Sequence, residues 1–241
     1  MANTWILIRH PDKEGDKEGV YLGDTAKITS AGQRQMDSVI PRLKLLSPTI
    51  ITCSMLPRAV TLAKHIAKEL GLGDPIQTGL LNEIDKPRFL IGRKREGRLH
   101  KTVMRAIRKE WNANTVPTRL LRGEKIRKRS EVERDLKRLI KMVEEFRPTH
   151  HAPVPDVLLS VTHAKLIAAI GQMLWNKDGS LRDYYDEADS KLKVSTTGIT
   201  ILTREPNRRT RKMQWHVKTW NEETHADSAL EEFQDLINKV S

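Results

Sequence analysis

Two histidines and two arginines carry the chemical interest of this sequence. Arg9-His10 closes one apolar run, Ser54-Met55-Leu56-Pro57-Arg58 follows a second, and Thr162-His163 follows a third. If the three runs are neighbouring parallel strands, these residues all emerge at one carboxyl edge of a sheet, where ligands of open α/β proteins bind. Helices starting near Pro57 and Ala164 would add N-terminal amides that favour an anion. Phosphate suits such a pocket. A neutral imidazole offers a nitrogen lone pair for attack on phosphorus, and a guanidinium at position 9 or 58 keeps His10 neutral by charge repulsion. Guanidiniums also bind phosphate oxygens through paired N–H groups and stabilise charge that builds in the transition state. His163 can donate to another of those oxygens. A carboxylic acid is still needed to protonate the leaving alcohol and later to activate water, and Glu83 in Leu81-Asn82-Glu83 is the candidate.

The elements that must hold these groups follow from apolar periodicity. Thr4 to Ile8, Thr49 to Cys53, Val157 to Val161 and Gly198 to Thr203 read as strands, with Gln214 to Trp220 a fifth of weaker alternation. Several are apolar at successive positions, as parallel strands buried on both faces require. Ser30 and Gln33 form a capping-box pattern ahead of Met36, Ile40, Leu43 and Leu46, and Pro41 should interrupt that helix. A second helix begins at Pro57, carries Leu62, Ile66 and Leu70, and stops at Gly71. A third covers about Ala164 to Trp175. Strands alternating with helices predict an α/β three-layer sandwich with a mostly parallel sheet.

The charge of the chain is concentrated. Its 241 residues carry a formal +12, yet residues 86–150 hold 21 Lys or Arg against 8 Asp or Glu, while the remainder has 22 against 23. A segment of this kind attracts anions: phosphorylated metabolites, nucleic acid or acidic lipid. Leu99, Val103, Ile107 and Trp111 mark one helix in it. Ser130 and Glu133 give a second capping-box pattern, with Val132, Leu136, Leu139, Ile140, Val143 and Phe146 behind it. We expect a core of 1–85 and 151–241 and a basic helical insertion, or cap, of 86–150 that returns through the linker His150 to Pro155. Asp12 to Gly19, rich in Lys, Glu and Gly, reads as a mobile loop. No apolar run approaches the roughly 20 residues that span a bilayer. With one cysteine and no export leader ahead of Trp5, the expected setting is cytoplasmic, without membrane association.

Ile8-Arg9-His10, the block Ser54 to Ala59, Leu81-Asn82-Glu83 and Val161-Thr162-His163 resemble, in order, the motifs of the histidine phosphatase superfamily, phosphoglycerate mutase-like branch. Thr29 to Gln33 is similar to the family's segment before its first helix, and Trp220-Asn221 with His225 to its last strand and turn. The resemblance covers residues 1 to about 85 and about 155 to 225; family members often carry a helical cap where the basic segment lies. It implies that His10 is the phosphorylated nucleophile, that Arg9, Arg58 and His163 form the phosphate pocket, and that Glu83 is the general acid and base. Three departures bear on the substrate. Pro11 stands where the family usually has Gly. Ala164 follows the second histidine in place of the Asp of the acid phosphatase branch. Lys86-Pro87-Arg88-Phe89 replaces glycine-rich sequence.

Other patterns were weighed against these. Cys53 and Arg58 have four residues between them where cysteine-dependent phosphatases need five, so Cys53 reads as a small buried residue. His150 and His151 have no third ligand at a useful spacing and read as linker, so no metal and no cofactor are expected. Trp175 and Trp215 read as core. The expected function is metal-independent hydrolysis of a small phosphomonoester. The alternative is a weakly catalytic scaffold whose basic insertion binds nucleic acid or an acidic partner, and a phosphoglycerate-type mutase is a third reading. Fold alone does not choose among them. The natural substrate and the oligomeric state are not legible.

Overall fold

A computed structural model describes residues 3–15, 18–24, 26–84, 90–94, 97–115, 126–147, 156–176, 179–181, 193–207 and 210–223. Asp85, Lys86 to Phe89, Arg95, the linker His150 to Pro155 and His225 lie outside the described residues. The central sheet has six strands in the order β4-β3-β6-β1-β7-β8. They are β1 (Thr4–Arg9), β3 (Ile50–Cys53), β4 (Ile76–Gln77), β6 (Val157–Thr162), β7 (Ile199–Pro206) and β8 (Met213–Glu222). Strands β4, β3, β6 and β1 run parallel, and β7 and β8 close the far edge as an antiparallel pair. In this register Arg9 lies beside Thr162 and Cys53 beside Val161, so the three polar strand ends share one edge.

Helices cover both faces, and the side-chain alternation of β1 decides what each face packs against. Ile6 and Ile8 join Ile51, Leu159 and Val161 in one apolar cluster with Met36, Leu43, Leu62 and Ile66. Those last residues belong to α1 (Ser30–Ser38), α2 (Ile40–Leu46) and α3 (Pro57–Leu70). Pro41 acts as expected: the helix breaks at Val39 and restarts with the proline in its first turn. Gly71 ends α3 in the left-handed conformation, φ 65°, where glycine avoids the Cβ penalty. The cap of α1 sits one residue before the expected one. Thr29, not Ser30, accepts from the Gly32 amide at 3.0 Å.

Trp5 and Leu7 point to the other face, into a cluster with Leu158, Leu202 and Ile167 of α6 (Ala164–Trp175). The same cluster takes Val103, Ile107 and Trp111 from α4 (Arg98–Asn112) and Val132, Leu136, Leu139 and Val143 from α5 (Arg129–Glu145). The two helices of the basic segment therefore lie in the second helical layer, with their apolar stripes spent on the core. Leu99 is not in that stripe; it is exposed and His100 is buried in its place. The α5 cap also shifts: Glu131 accepts from the Lys128 amide at 2.7 Å, which frees Glu133 to accept from the Leu181 amide at 2.6 Å. Trp215 is buried edge-on to Trp5, but Trp175, expected in the core, is half-exposed and stacks at a tilt on Trp220.

One further ribbon matters for the site. β2 (Val20–Tyr21) pairs antiparallel with β5 (Arg93–Lys94), which ties the loop after His10 to the start of the basic segment. No described helix is long and apolar enough to cross a membrane.

Candidate active site

His10 leaves the end of β1 almost completely buried, its amide donating to the Thr162 carbonyl at 3.0 Å. Its Nδ1 lies 2.8 Å from the Pro11 carbonyl oxygen. A carbonyl only accepts, so Nδ1 holds the hydrogen and the lone pair of a neutral ring is on Nε2. Proline supplies that carbonyl as well as glycine would. The ring is held well below the ordinary histidine range, first by burial, then by His163, Arg9 and Arg58, with the Pro11 hydrogen bond opposing. Burial thus does more than the arginine repulsion expected from sequence.

His163 stacks at a tilt on His10, ring centres 5.1 Å apart. Its environment assigns its tautomer too. Arg58 Nη2, which can only donate, lies 3.3 Å from Nδ1, so the hydrogen is on Nε2 and donates to Ser54 Oγ at 2.8 Å. Ser54 Oγ in turn donates to Asn82 Oδ1 at 2.9 Å and accepts from the Leu56 amide. Burial, then Arg58, Arg9 and Lys13, hold His163 well below its ordinary range. In this resting arrangement both of its nitrogens are committed within the protein, so the donation to a phosphate oxygen expected from sequence requires a change of partner or of protonation.

Arg58 occupies the first turn of α3, 5% exposed, with Nε and Nη1 lacking hydrogen-bond partners among the described residues. Asp24 Oδ1 stands 3.7 Å from Nη1, beyond hydrogen-bond range. Arg9 is aimed by a donation from Nη1 to the Val194 carbonyl at 2.5 Å. The turn carrying that carbonyl is clamped by Asn221, whose Oδ1 accepts from the Ser195 amide at 2.7 Å. A Cβ at Gly198 would lie 2.2 Å from the same Oδ1. The weaker Trp220-Asn221 signal thus corresponds to a residue that positions Arg9.

Glu83 is tied to the cluster through the two residues before it. The Leu81 carbonyl accepts from Thr162 Oγ1 at 2.6 Å, and Asn82 Oδ1 takes both Ser54 Oγ and the Met55 amide. This fastens Leu81-Asn82-Glu83 to the ends of β3 and β6. The Glu83 carboxylate itself accepts from the Ile84 amide at 3.1 Å and contacts neither histidine and neither arginine. Cys53 is buried, and that burial pushes its thiol up to about 11, away from thiolate chemistry.

Sequence reasoning did not foresee Asp24 beside Arg58. Residues 11–13 do not run into solvent: Pro11, Asp12 and Lys13 are all buried. Asp12 is bound to Gln35 and Thr29, and its carbonyl lies 2.2 Å from where a Cβ of Gly32 would be. The only advance signal was Gly32 itself, in a segment already singled out. A groove of about 420 Å³ on the outer face of α5, between Ser130, Arg134, Lys137 and Lys141, contains none of these groups.

The family model of the histidine phosphatase superfamily, branch 1, matches residues 5–223. The chain belongs to this superfamily. Solved structures with the same fold include the α-ribazole phosphatase of Shigella flexneri, with 18% identity, TM-score 0.65, and 91% and 96% of the two chains covered. A mycobacterial glucosyl-3-phosphoglycerate phosphatase has 17% identity, TM-score 0.65, and 91% and 99% covered. The phosphoserine phosphatase of Entamoeba histolytica, in complex with phosphoserine, has 19% identity, TM-score 0.62, and 92% and 98% covered. No curated protein sequence matches at a significant level. As a histidine phosphatase fold, the chain brings His10, His163, Arg9 and Arg58 together at the carboxyl edge, with Glu83 on a loop fastened to the same strand ends.

Proposed function

We propose that this protein hydrolyses a small phosphomonoester through a phosphohistidine at His10. The observation that carries the reading is the Nδ1 hydrogen bond to Pro11, which leaves a neutral Nε2 lone pair for phosphorus. Nε2 attacks, the bond from phosphorus to the ester oxygen breaks, and Glu83, as the carboxylic acid, protonates that oxygen. Glu83 then takes a proton from water, the water oxygen attacks phosphorus, and the P–N bond breaks. Inorganic phosphate leaves and His10 is neutral again. Arg9 and Arg58 hold the phosphoryl oxygens, and His163 joins them once Arg58 turns from its ring to the phosphate. Guanidinium charge does here what a metal does elsewhere, so we place the reaction among metal-independent ones.

The ribbon β2–β5 supports a role for the start of the basic segment. Tyr21 pairs with Arg93, and Asp24, three residues on, faces Arg58. Arg93 and Lys94 are exposed at this approach and suit remote anionic groups of the substrate. With its lone buried thiol the protein fits a reducing, cytoplasmic setting. The test is turnover of an aryl phosphate by wild type and His10→Ala in excess chelator. Turnover that survives chelation and vanishes in the variant is expected. Metal dependence would count against this mechanism, and a salt-sensitive complex with random oligonucleotide in place of turnover would favour the scaffold reading.

A further inference from the structure

A side chain on a loop is aimed only as well as the loop itself is held. Leu81-Asn82-Glu83 is fastened on one side by Thr162, Ser54 and the Met55 amide. On the other side the holding groups come from the basic segment. Arg127 Nη2 faces the Glu83 carbonyl oxygen at 3.5 Å, while Nη1 of the same guanidinium donates to Asp135 Oδ2 of α5 at 3.1 Å. The carbonyl contact is long, but the charge of its donor strengthens it. Asp135 has a firm base, since α5 sinks Val132, Leu136 and Leu139 into the apolar cluster that also takes Leu81, Ile84 and Ile126. Glu83 therefore lies between two buried residues, Leu81 and Ile84, and Arg127 follows a third, Ile126. The Glu83 carboxylate accepts from the adjoining Ile84 amide, so a shift of the backbone here would carry the carboxylate with it.

We infer that Arg127 is a positioning residue for the general acid: by bridging Asp135 and the Glu83 backbone, it makes α5 set where the Glu83 carboxyl meets the leaving oxygen. The inference rests on the function proposed above. It gives the basic segment a share in the chemistry beyond the attraction of anions. A misplaced acid costs most where a proton is needed most. An alkoxide leaves phosphorus only as it is protonated, whereas nitrophenolate leaves without a proton. A cation that only attracted anions, or a residue that only braced the fold, would affect both esters alike.

The experiment measures kcat/KM for full-length wild type, Arg127→Met, Arg127→Lys, Asp135→Asn and Glu83→Gln on nitrophenyl phosphate and on an alkyl phosphate, with the melting temperature of each protein. This constant covers the steps through formation of the phosphohistidine, so the later attack of water does not enter it. Arg127→Met should lower kcat/KM about tenfold for the alkyl ester and no more than about twofold for the nitrophenyl ester. Arg127→Lys keeps a charged donor without the fork and should fall between wild type and Arg127→Met. Asp135→Asn should discriminate between the esters in the same direction. Equal losses on both esters, or none, in a folded Arg127→Met protein would overturn the inference. If that variant does not fold, Asp135→Asn is read by the same criterion. Glu83→Gln keeps the two questions apart. Should it lose no more on the alkyl ester than on the nitrophenyl ester, the acid role in the proposed function fails and this inference falls with it. Should it discriminate while Arg127→Met does not, the inference about Arg127 fails alone.

Discussion

Arg58 Nη2 donates to Nδ1 of His163 at 3.3 Å, so a cation and a neutral imidazole face each other in a buried pocket. On the proposed function, phosphate draws Arg58 to itself and Nδ1 loses its donor. The dianion then favours a protonated ring, opposing the burial and the cationic charges that hold its pKa down. Phosphate binding should therefore take up a proton. Calorimetry at about pH 8, where inorganic phosphate is mostly the dianion, should give heats that vary with buffer ionisation enthalpy. His163→Asn should remove that dependence. Buffer-independent heats in wild type would mean that His163 stays neutral in the complex.

The same two histidines set an acid limit on stability. Both have folded pKa values below the unfolded one of about 6.5. As pH falls through the unfolded value, the unfolded chain takes up protons that the folded one refuses, so stability present above about 6.5 is lost down to the lowered folded values. The melting temperature should be level above neutrality and fall below it, with a shallower fall in His10→Asn. A level melting temperature to pH 5 in wild type would contradict the neutral, buried pair.

Gly32 holds the His10 loop against α1. A methyl group there would meet the Asp12 carbonyl at 2.2 Å, and backbone cannot yield as a flexible side chain does. Gly32→Ala should cost about 1 to 3 kcal/mol and depress kcat more than a distant mutation of equal cost, because the displaced segment carries Pro11, on whose carbonyl His10 is held. Equal stability loss with untouched kinetics would show that the loop tolerates the shift.

What sequence revealed and what it concealed divide along range of interaction. Pro57 and Gly71 bound their helix through local backbone preference, and the apolar runs of β1 and β6 announce burial on both faces. Both survive in the structure because they depend on a few neighbouring residues. The stripe of α5 announced a helix but not which surface it faces, and it joins the same apolar cluster as Trp5 and Leu158. The burial of Lys13 was hidden for a similar reason. A Lys-, Glu- and Gly-rich stretch has the composition of a solvated loop, and only the long-range bonds from Asp12 to Thr29 and Gln35 draw its first residues inward. The Ser130 cap pattern gives way to one at Lys128, and Glu133 instead accepts from Leu181, a partner distant in sequence.

The central claim is that phosphorus becomes bonded to His10. Wild-type protein mixed with an aryl phosphate and quenched rapidly in alkali, which preserves phosphohistidine, should give a peptide containing residues 9–13 heavier by one phosphoryl group, on His10. The label should decay on the timescale of turnover, and His10→Ala should carry none and turn over nothing measurable. Phosphate release by wild type without a His10 adduct, or substantial turnover by His10→Ala, would contradict the account.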